Sequence, residues 1–505
     1  MSLITQDFSH FNLADNTHVD PRRTQVIDAG DRRQLLVDDF LLALGRRHDE
    51  YPRNLRWSVG PVVKHGRPLL QGQDPWERSS AWVNVLRDSG CYRMWYNASR
   101  TDPGQENRQR LFVSYAESDD GLDFRRRGPA PEDAVVFDGG PGGVSAELGG
   151  VFIDPSAEPA ERFKLVYSDW QSNAVWHTPF THNVGMLRGA ASPDGLAWRR
   201  YWDNFTGKYC DSQNVAGWDP TLSRYVAYVR DTGRYGGVAA GAYQVESDRR
   251  GRAVARLESP DFRNWERTGI ALQGDFEDGL NTDVYNSGYS PYPLADHLYF
   301  MFPSFYRHHE GTFDVQVCTS RDNRNWFRAS RETFIPLGQE RAFDCFTISV
   351  APGFVQVDDD TLALYYRSGD GPHGGSRPIT LDYTPASRVS RVTFKRDRIV
   401  GIQAVGGEAQ FTTRPLRVAA GGLTVNVERT GADPWLSAQL LGADGAPVPG
   451  HTFAECRPVT GDGLDAPVIW TGGRPLPAEV LQAGVRLHVQ YRDLRFYAFQ
   501  FGGAR

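Results

Sequence analysis

Five acidic residues stand at matching places along this chain, each just before a short apolar segment. They are Glu77, Glu147, Asp211, Asp283 and Asp344. Carboxyl groups gathered in one place can cleave a glycosidic bond, because one protonates the leaving oxygen while another acts as nucleophile or base. Crowding several carboxylates raises the pKa of one of them, which makes that group a usable acid near neutral pH.

A second set of polar and aromatic residues follows the next apolar segment in each unit. Arginine and aspartate hold sugar hydroxyls through paired hydrogen bonds, and tryptophan or tyrosine packs on a sugar face. We prefer Asp211 and Asp283 as the catalytic pair, with Glu147 and Asp344 next. The expected substrate-binding residues are Glu77, Asp169, Trp170, Asn214, Arg230, Asp231, Tyr306, Arg307, His308 and Arg367.

A structural interpretation of the acids stands beside the chemical one. An acid before a strand is often a turn or cap residue, and for any single one of the five this role is as good an explanation. It is a weaker explanation for all five together. The catalytic interpretation therefore requires a fold that brings the five acids to one place.

A short turn motif supplies evidence for that architecture. Ser-x-Asp-x-x-x-aromatic begins at Ser118, Ser192, Ser259 and Ser320, with spacings of 74, 67 and 61 residues. A turn that recurs at a near-constant period indicates a repeat fold. We expect its Ser and Asp to bond local backbone amides and its aromatic ring to pack between units, so its role is structural.

Each unit also contains an aromatic-rich strand at a fixed place. These strands are expected at residues 92–97, 163–167, 225–229, 298–302 and 362–366. Five four-stranded units predict an all-β chain with a five-bladed β-propeller over residues 35–403, although an array of β-sandwiches would also fit. Residues 1–34 are expected to form an arm, and the short strands of 404–505 predict a β-sandwich domain. In a propeller blade, the first strand begins and the second ends at one mouth of the channel, where the acids would meet.

Composition excludes several functional classes. The 505 residues carry a net charge of -6, which argues against nucleic-acid and anionic membrane partners. Five scattered cysteines without Cys-x-x-Cys spacing favour a reducing compartment and no zinc site, and the polar N-terminus predicts a cytoplasmic protein. No cofactor is expected. A divalent ion in the channel is compatible with the carboxylates, but no ligand spacing requires one.

With these features, the chain resembles the five-bladed β-propeller glycoside hydrolases, which include arabinanases, β-xylosidases, invertases and levanases. Residues 36–41 (LVDDFL), 75–77 (PWE) and 447–501 resemble bacterial proteins loosely described as family-32-like glycosyl hydrolases. The invertase Trp-Met-Asn-Asp-Pro motif is absent, and Thr232 follows Arg230-Asp231 where invertases have proline. Glu455-Cys456 mimics the invertase acid motif but lies in the expected sandwich.

The resemblance implies a glycoside hydrolase that cleaves a short oligosaccharide or glycoside, with fructosyl and arabinosyl furanosides among the candidates. Two other functions stay open. A glycoside phosphorylase would bind phosphate through Arg307, His308, His309 and Arg367. A non-catalytic carbohydrate-binding propeller would have acids that are dispersed or ion-paired instead of convergent.

Overall fold

The computed structural model describes residues 25–43, 52–71, 82–101, 109–140, 145–169, 186–201, 210, 213–232, 251–279, 281–373, 386–472 and 475–502. Within these ranges the regular secondary structure is almost entirely strand, with an α-helix, α1 (Ala478–Ala483), and a few short 3-10 turns. The predicted all-β class is confirmed. No helix in the described ranges is long and apolar enough to cross a membrane.

The chain divides into two compact units. The first comprises the described parts of Met1–Pro61, Ala329–Glu332 and Phe394–Arg505. One of its sheets contains β1 (Ile27–Gly30), β30 (Ala409–Thr412), β31 (Leu416–Val418), β33 (Trp435–Gly442) and β36 (Val485–Arg492). The other contains β2 (Gln34–Leu35), β3 (Leu55–Val59), β29 (Val400–Ala404), β32 (Leu423–Arg429), β34 (Cys456–Arg457), β35 (Gly463–Trp470) and β37 (Leu494–Phe501).

These two sheets share one hydrophobic core. Leu487 and Val489 of β36 and Val425 and Phe499 of the other sheet are buried in it. Alternating apolar residues produce this core, because successive side chains of a strand point to opposite faces. The early strands belong here too, since β2 pairs with β37 and β3 with β29. The described residues 25–43 and 52–61 thus belong with the C-terminal strands, whereas the sequence prediction placed those after 34 with the propeller.

The second unit comprises the described parts of Val62–Arg328 and Thr333–Thr393. Three antiparallel sheets follow one another along the chain. The first contains β6 (Val83–Asp88), β7 (Cys91–Thr101), β8 (Gln109–Ser118), β9 (Arg125–Arg126) and β10 (Val135–Phe137). The second contains β11 (Ala146–Ile153), β12 (Phe163–Asp169), β13 (Met186–Ser192) and β14 (Arg199–Arg200). The third contains β15 (Val215–Asp219), β16 (Arg224–Thr232), β17 (Arg252–Ser259) and β18 (Glu266–Gln273).

The rest of this unit departs from the regular pattern. A nine-stranded sheet contains β4 (Val63–Lys64), β5 (Leu70–Gln71), β19 (Thr282–Val284), β22 (Ser304–Arg307), β23 (Thr312–Val315), β25 (Thr347–Val350), β26 (Val355–Gln356), β27 (Thr361–Gly369) and β28 (Ser387–Lys395). A separate three-stranded sheet contains β20 (Ser290–Pro291), β21 (Tyr299–Met301) and β24 (Cys318–Ser320). The predicted strand at 298–302 is interrupted near Pro303, which has no N–H for the ladder, and resumes as β22.

The Ser-x-Asp turns have the structural role that we predicted. In the first turn, the amides of Leu122 and Asp123 donate to Asp120 Oδ1 at 2.8 and 2.9 Å, and Ser118 Oγ donates to the same oxygen at 2.8 Å. The other three turns repeat this pattern around Asp194, Asp261 and Asp322. Each turn is therefore a self-contained hydrogen-bonded unit.

Three of these turns also bind the second strand of the preceding sheet. Gly195 O accepts from Trp95 of β7 at 2.7 Å, and Asn323 O accepts from Tyr228 of β16 at 2.7 Å. Gly121 O accepts from Tyr365 of β27 at 2.8 Å, so the first turn contacts the last sheet. The series of sheets thus closes on itself, as in a propeller. The count of five blades stays a prediction, because β19, β22, β23, β25, β27 and β28 belong to one nine-stranded sheet instead of two separate ones.

Candidate functional site

First strands begin where second strands end, as the sequence interpretation requires. Ala146 at the start of β11 pairs with Asp169 at the end of β12. Asp283 in β19 pairs with Tyr306 in β22, and Thr347 in β25 pairs with Gly369 in β27. Because opposite residues in an antiparallel ladder share a face, Asp283 and Tyr306 project to the same side.

Glu147 is 7% exposed and has two notable neighbours. Trp82, just before β6, donates its indole N–H to Glu147 Oε1 at 2.8 Å. The Arg367 guanidinium lies 5.5 Å from the centre of the Trp82 ring. Burial lowers the pKa of Arg367, while the electrostatic effects of Tyr285 and Glu147 oppose this shift. The carboxylate thus lies beside a donor and a cation.

Asp283 is equally buried, at 7% exposed, and contacts a histidine. His308 Nε2 lies 2.7 Å from Asp283 Oδ2, so the two groups share a hydrogen bond. Gly251, with φ of +73°, passes the other oxygen so closely that an added Cβ would lie 2.7 Å from Asp283 Oδ1. A glycine is required there by both the backbone angle and the space.

Aromatic rings connect these two acids. The Trp82 and Tyr285 ring centres are 6.4 Å apart, Tyr285 and Tyr306 are 6.0 Å apart, and Tyr306 and His308 are 4.1 Å apart. His373 packs against both tyrosines, at 5.0 and 5.2 Å. The central cluster is defined as Trp82, Glu147, Arg252, Asp283, Tyr285, Tyr306, His308, Arg367 and His373.

Three members of the central cluster were missed by the sequence interpretation. Tyr285 lies two residues after Asp283, so the period of two along a strand was a usable signal. Trp82 directly precedes β6 in the first unit. Arg252, whose guanidinium lies 4.4 Å from the Tyr285 ring centre, begins β17 opposite Thr232 at the end of β16. Third strands therefore also begin at this edge, which the expectation did not include.

Asp344 does not join the central cluster. Its side chain is 3% exposed, forms an ion pair with Lys64 and accepts a hydrogen bond from Tyr366 at 3.1 Å. Burial, followed by the charge of Asp344, raises the pKa of Tyr366. These contacts favour a structural role over the catalytic role expected for Asp344.

Four expected sugar ligands are also engaged inside the protein. Asp169 is ion-paired with Arg188 and Arg200 at 2.8 and 2.9 Å. Asp231 is ion-paired with Arg267 at 2.7 Å, and Arg307 with Asp314 at 2.9 Å. The fully buried Asn214 accepts the backbone N–H of Arg230 at 2.9 Å and so joins neighbouring strands. Internal partners therefore occupy these four groups in the structure, and their contact with a ligand stays a prediction.

Seven expected residues remain. Tyr306, His308 and Arg367 lie in the central cluster, and their contact with a sugar stays a prediction. Arg230 lies near the end of β16. Glu77, Trp170 and Asp211 lie outside the described residues, so their roles stay predictions.

Metal ligation has no support in the part of the chain that the structure describes. There, no group of three His, Cys, Asp or Glu side chains converges in a way that could hold a metal ion. The five cysteines are all free thiols.

Comparisons with known proteins give only distant similarities. No family model and no curated protein matches this chain. Similar solved structures include a glycoside hydrolase (14% identity, 66% of this chain and 92% of that chain, TM-score 0.47) and a glycosyl hydrolase from Bacteroides ovatus (13%, 68% and 95%, TM-score 0.43). A thermostable family-43 glycoside hydrolase is 14% identical over 65% of this chain and 95% of that chain, with a TM-score of 0.42. With TM-scores below 0.5, these similarities support no inference about activity.

Proposed function

We propose that this protein is a glycoside hydrolase that acts on a short oligosaccharide or glycoside, with Glu147 and Asp283 as its pair of carboxyl groups. The observation that carries the proposal is their placement. Both acids are nearly buried, and one connected cluster joins them through aromatic rings and adds two arginines. A glycosidase needs two carboxyl groups flanking the scissile bond, together with donors for the sugar hydroxyls.

The contacts of each acid indicate its role. Trp82 N–H can only donate, so Glu147 accepts, and the nearby positive charge of Arg367 favours the ionised carboxylate. Glu147 is therefore the nucleophile or base. Asp283 shares a hydrogen bond with His308, and we assign it the proton that passes to the leaving oxygen as the bond from the anomeric carbon breaks.

The cluster also provides groups that can bind sugar hydroxyls. Arg252 and Arg367 carry guanidinium N–H donors, and Tyr285 and His308 add groups that can donate or accept. Furanosides such as arabinosyl and fructosyl compounds belong to the substrate class that we propose.

The first experiment is a hydrolysis screen with aryl arabinofuranosides, aryl xylopyranosides and short fructosyl oligosaccharides. On the best substrate, Glu147→Gln and Asp283→Asn should each lower kcat about 10²–10⁴-fold, the range for positioned acid and base groups. Asp119→Asn, at an exposed turn position, serves as the control and should keep full activity.

The two roles can then be separated. Asp283→Asn should retain most turnover of dinitrophenyl glycosides, whose leaving group needs no proton. NMR of the first-formed product of the wild-type protein then assigns the role of Glu147, because retention of the anomeric configuration identifies a nucleophile and inversion identifies a base. Normal turnover of the best substrate by both Glu147→Gln and Asp283→Asn would refute the proposal. Asp211→Asn tests the remaining acid. Sugar binding without turnover in the wild-type protein would instead identify a carbohydrate-binding propeller.

A further inference from the structure

Two arginines in the central cluster differ from the other arginines near the strand ends. Arg188, Arg267 and Arg307 each form an ion pair with an aspartate. In contrast, no carboxylate among the described residues lies within ion-pair distance of Arg252 or Arg367. Arg367 makes a hydrogen bond to the neutral Ser387 Oγ at 3.2 Å.

Both guanidinium groups also have an N–H that lacks a partner. Arg252 Nη1 and Arg367 Nε are buried, and neither makes a hydrogen bond to any described residue. An unsatisfied buried donor costs about 1–3 kcal/mol, and more when it is charged. Water or a bound ligand can satisfy such groups, and a carboxylate or phosphate is the ligand that matches a guanidinium group best.

The two arginines lie against neighbouring rings. The Arg252 guanidinium carbon is 4.4 Å from the centre of the Tyr285 ring, which is 6.4 Å from the centre of the Trp82 ring. Arg367 also lies 5.5 Å from the Trp82 ring, whose indole holds Glu147. Among the described residues, two guanidinium groups and one carboxyl group, that of Glu147, thus lie in this part of the cluster, and an added oxyanion would balance the second positive charge.

We propose that Arg252 and Arg367 bind an oxyanion of the ligand next to Glu147. This inference rests on the proposed function and narrows its substrate. The oxyanion is either the carboxylate of a uronic-acid residue or inorganic phosphate that replaces water. In the second case, a phosphate oxygen bonds to the anomeric carbon, the glycosidic bond breaks, and the leaving oxygen takes the proton of Asp283, so that the product is a sugar phosphate.

Binding is tested first, independently of turnover. Isothermal titration with sodium phosphate, glucuronate and neutral glucose should show that the wild-type protein binds at least one of the two anions more tightly than glucose. Arg252→Gln and Arg367→Gln should each lower that affinity at least about tenfold, as expected when one charged hydrogen bond is lost. Arg125→Gln, on an exposed arginine paired with Asp119, is the matched control and should bind normally.

Folding of each variant is checked by its thermal midpoint. Where a glutamine variant fails to fold, the lysine variant replaces it, and it should bind more weakly because the paired donors of the guanidinium are lost. Equal anion affinity in the wild-type protein and the arginine variants would overturn the inference. A wild-type protein that binds neither phosphate nor glucuronate would also overturn it.

Turnover then distinguishes the two sources. Phosphate-dependent release of a sugar phosphate would identify phosphate, whereas cleavage of a glucuronide or galacturonide in phosphate-free buffer, faster than that of its neutral counterpart, would identify the sugar carboxylate. Cleavage of neutral glycosides without any anion binding would overturn this inference and leave the proposed function intact. Anion binding without turnover of any glycoside would overturn the proposed function and keep the anion site.

Discussion

An acid at the start of a first strand has different roles at different positions in this protein. Glu147 accepts a hydrogen bond from a tryptophan N–H, Asp283 shares a hydrogen bond with a histidine, and Asp344 forms an ion pair with a lysine. The sequence could place all three at strand starts, because that depends on local alternation and turn signals. It could not reveal their partners, since Trp82, His308 and Lys64 are brought there by pairings between distant parts of the chain.

The ion pair of Asp344 allows a structural role to be separated from a catalytic one. Lys64→Met and Asp344→Asn should both lower the free energy of unfolding by about 3 kcal/mol, the lower end for breaking a buried pair, because Lys64 is 21% exposed. Urea denaturation measures this loss. Both variants should keep kcat when assayed below their unfolding transitions.

Asp283→Asn provides the contrast. It should lose turnover, and its free energy of unfolding should fall less than that of Asp344→Asn. Loss of kcat in folded Asp344→Asn, with normal kcat in Lys64→Met, would restore Asp344 as a catalytic residue. The double variant Lys64→Met/Asp344→Asn should be more stable than the sum of the single losses predicts, because it leaves no buried charge unpaired.

At the scale of elements, the Ser-x-Asp turns were the most predictable feature. The hydrogen bonds that form the turn itself fall within six residues, so one short motif specifies its conformation. The interruption of a strand at Pro303 could also have been read from the sequence. In contrast, nothing local indicated that Arg252 at the start of β17 would reach Tyr285, because that contact joins two different sheets.

The turns should make stability depend on acid. Hydrogen bonds from the amides of Asp123 and Leu122 and from Ser118 lower the pKa of Asp120 from 3.8 to about 2. A carboxyl group whose pKa is lower in the folded state stabilises the fold above its unfolded pKa, and this contribution is lost as the pH falls towards the folded value. Between about pH 5 and about pH 2, the free energy of unfolding should therefore fall less in Asp120→Asn than in the wild-type protein.

Urea denaturation at several pH values measures that slope. Asp119→Asn is the matched control, because Asp119 is a neighbouring exposed aspartate that accepts from Arg125 instead of from the turn amides. It should retain the wild-type slope. An identical acid dependence in Asp120→Asn and the wild-type protein would show that the turn carboxylate does not contribute.

At the scale of the whole molecule, the sequence was sufficient to predict the all-β fold class but not the pairings between distant strands. Repeated strand patterns predicted the all-β architecture and the order of the sheets. They did not predict that β3 pairs with β29, or that β4 and β5 pair with β28. Each of these pairings joins the beginning of the chain to a segment more than 300 residues later, and no short-range pattern encodes such a partner.

Closure of the second unit depends on contacts between its first and last sheets. Tyr365 of β27 donates to Gly121 O at 2.8 Å, and its ring packs edge-on against Phe124 at 6.0 Å. Tyr365→Phe should lower the free energy of unfolding by about 1–3 kcal/mol, since it leaves the Gly121 carbonyl without that donor. Because the hydrogen bond joins two sheets, hydrogen exchange should accelerate in β8 as well as in β27.

Tyr491→Phe is a matched control in the first unit. The Tyr491 hydroxyl is fully buried and donates to Ile402 O at 3.0 Å, so the same chemical change removes a similar bond from the other core. Its effect on exchange should be confined to strands of the first unit, such as β29 and β36. If Tyr365→Phe accelerated exchange in β27 alone, the first and last sheets would be independently stable and the contact would not close the ring.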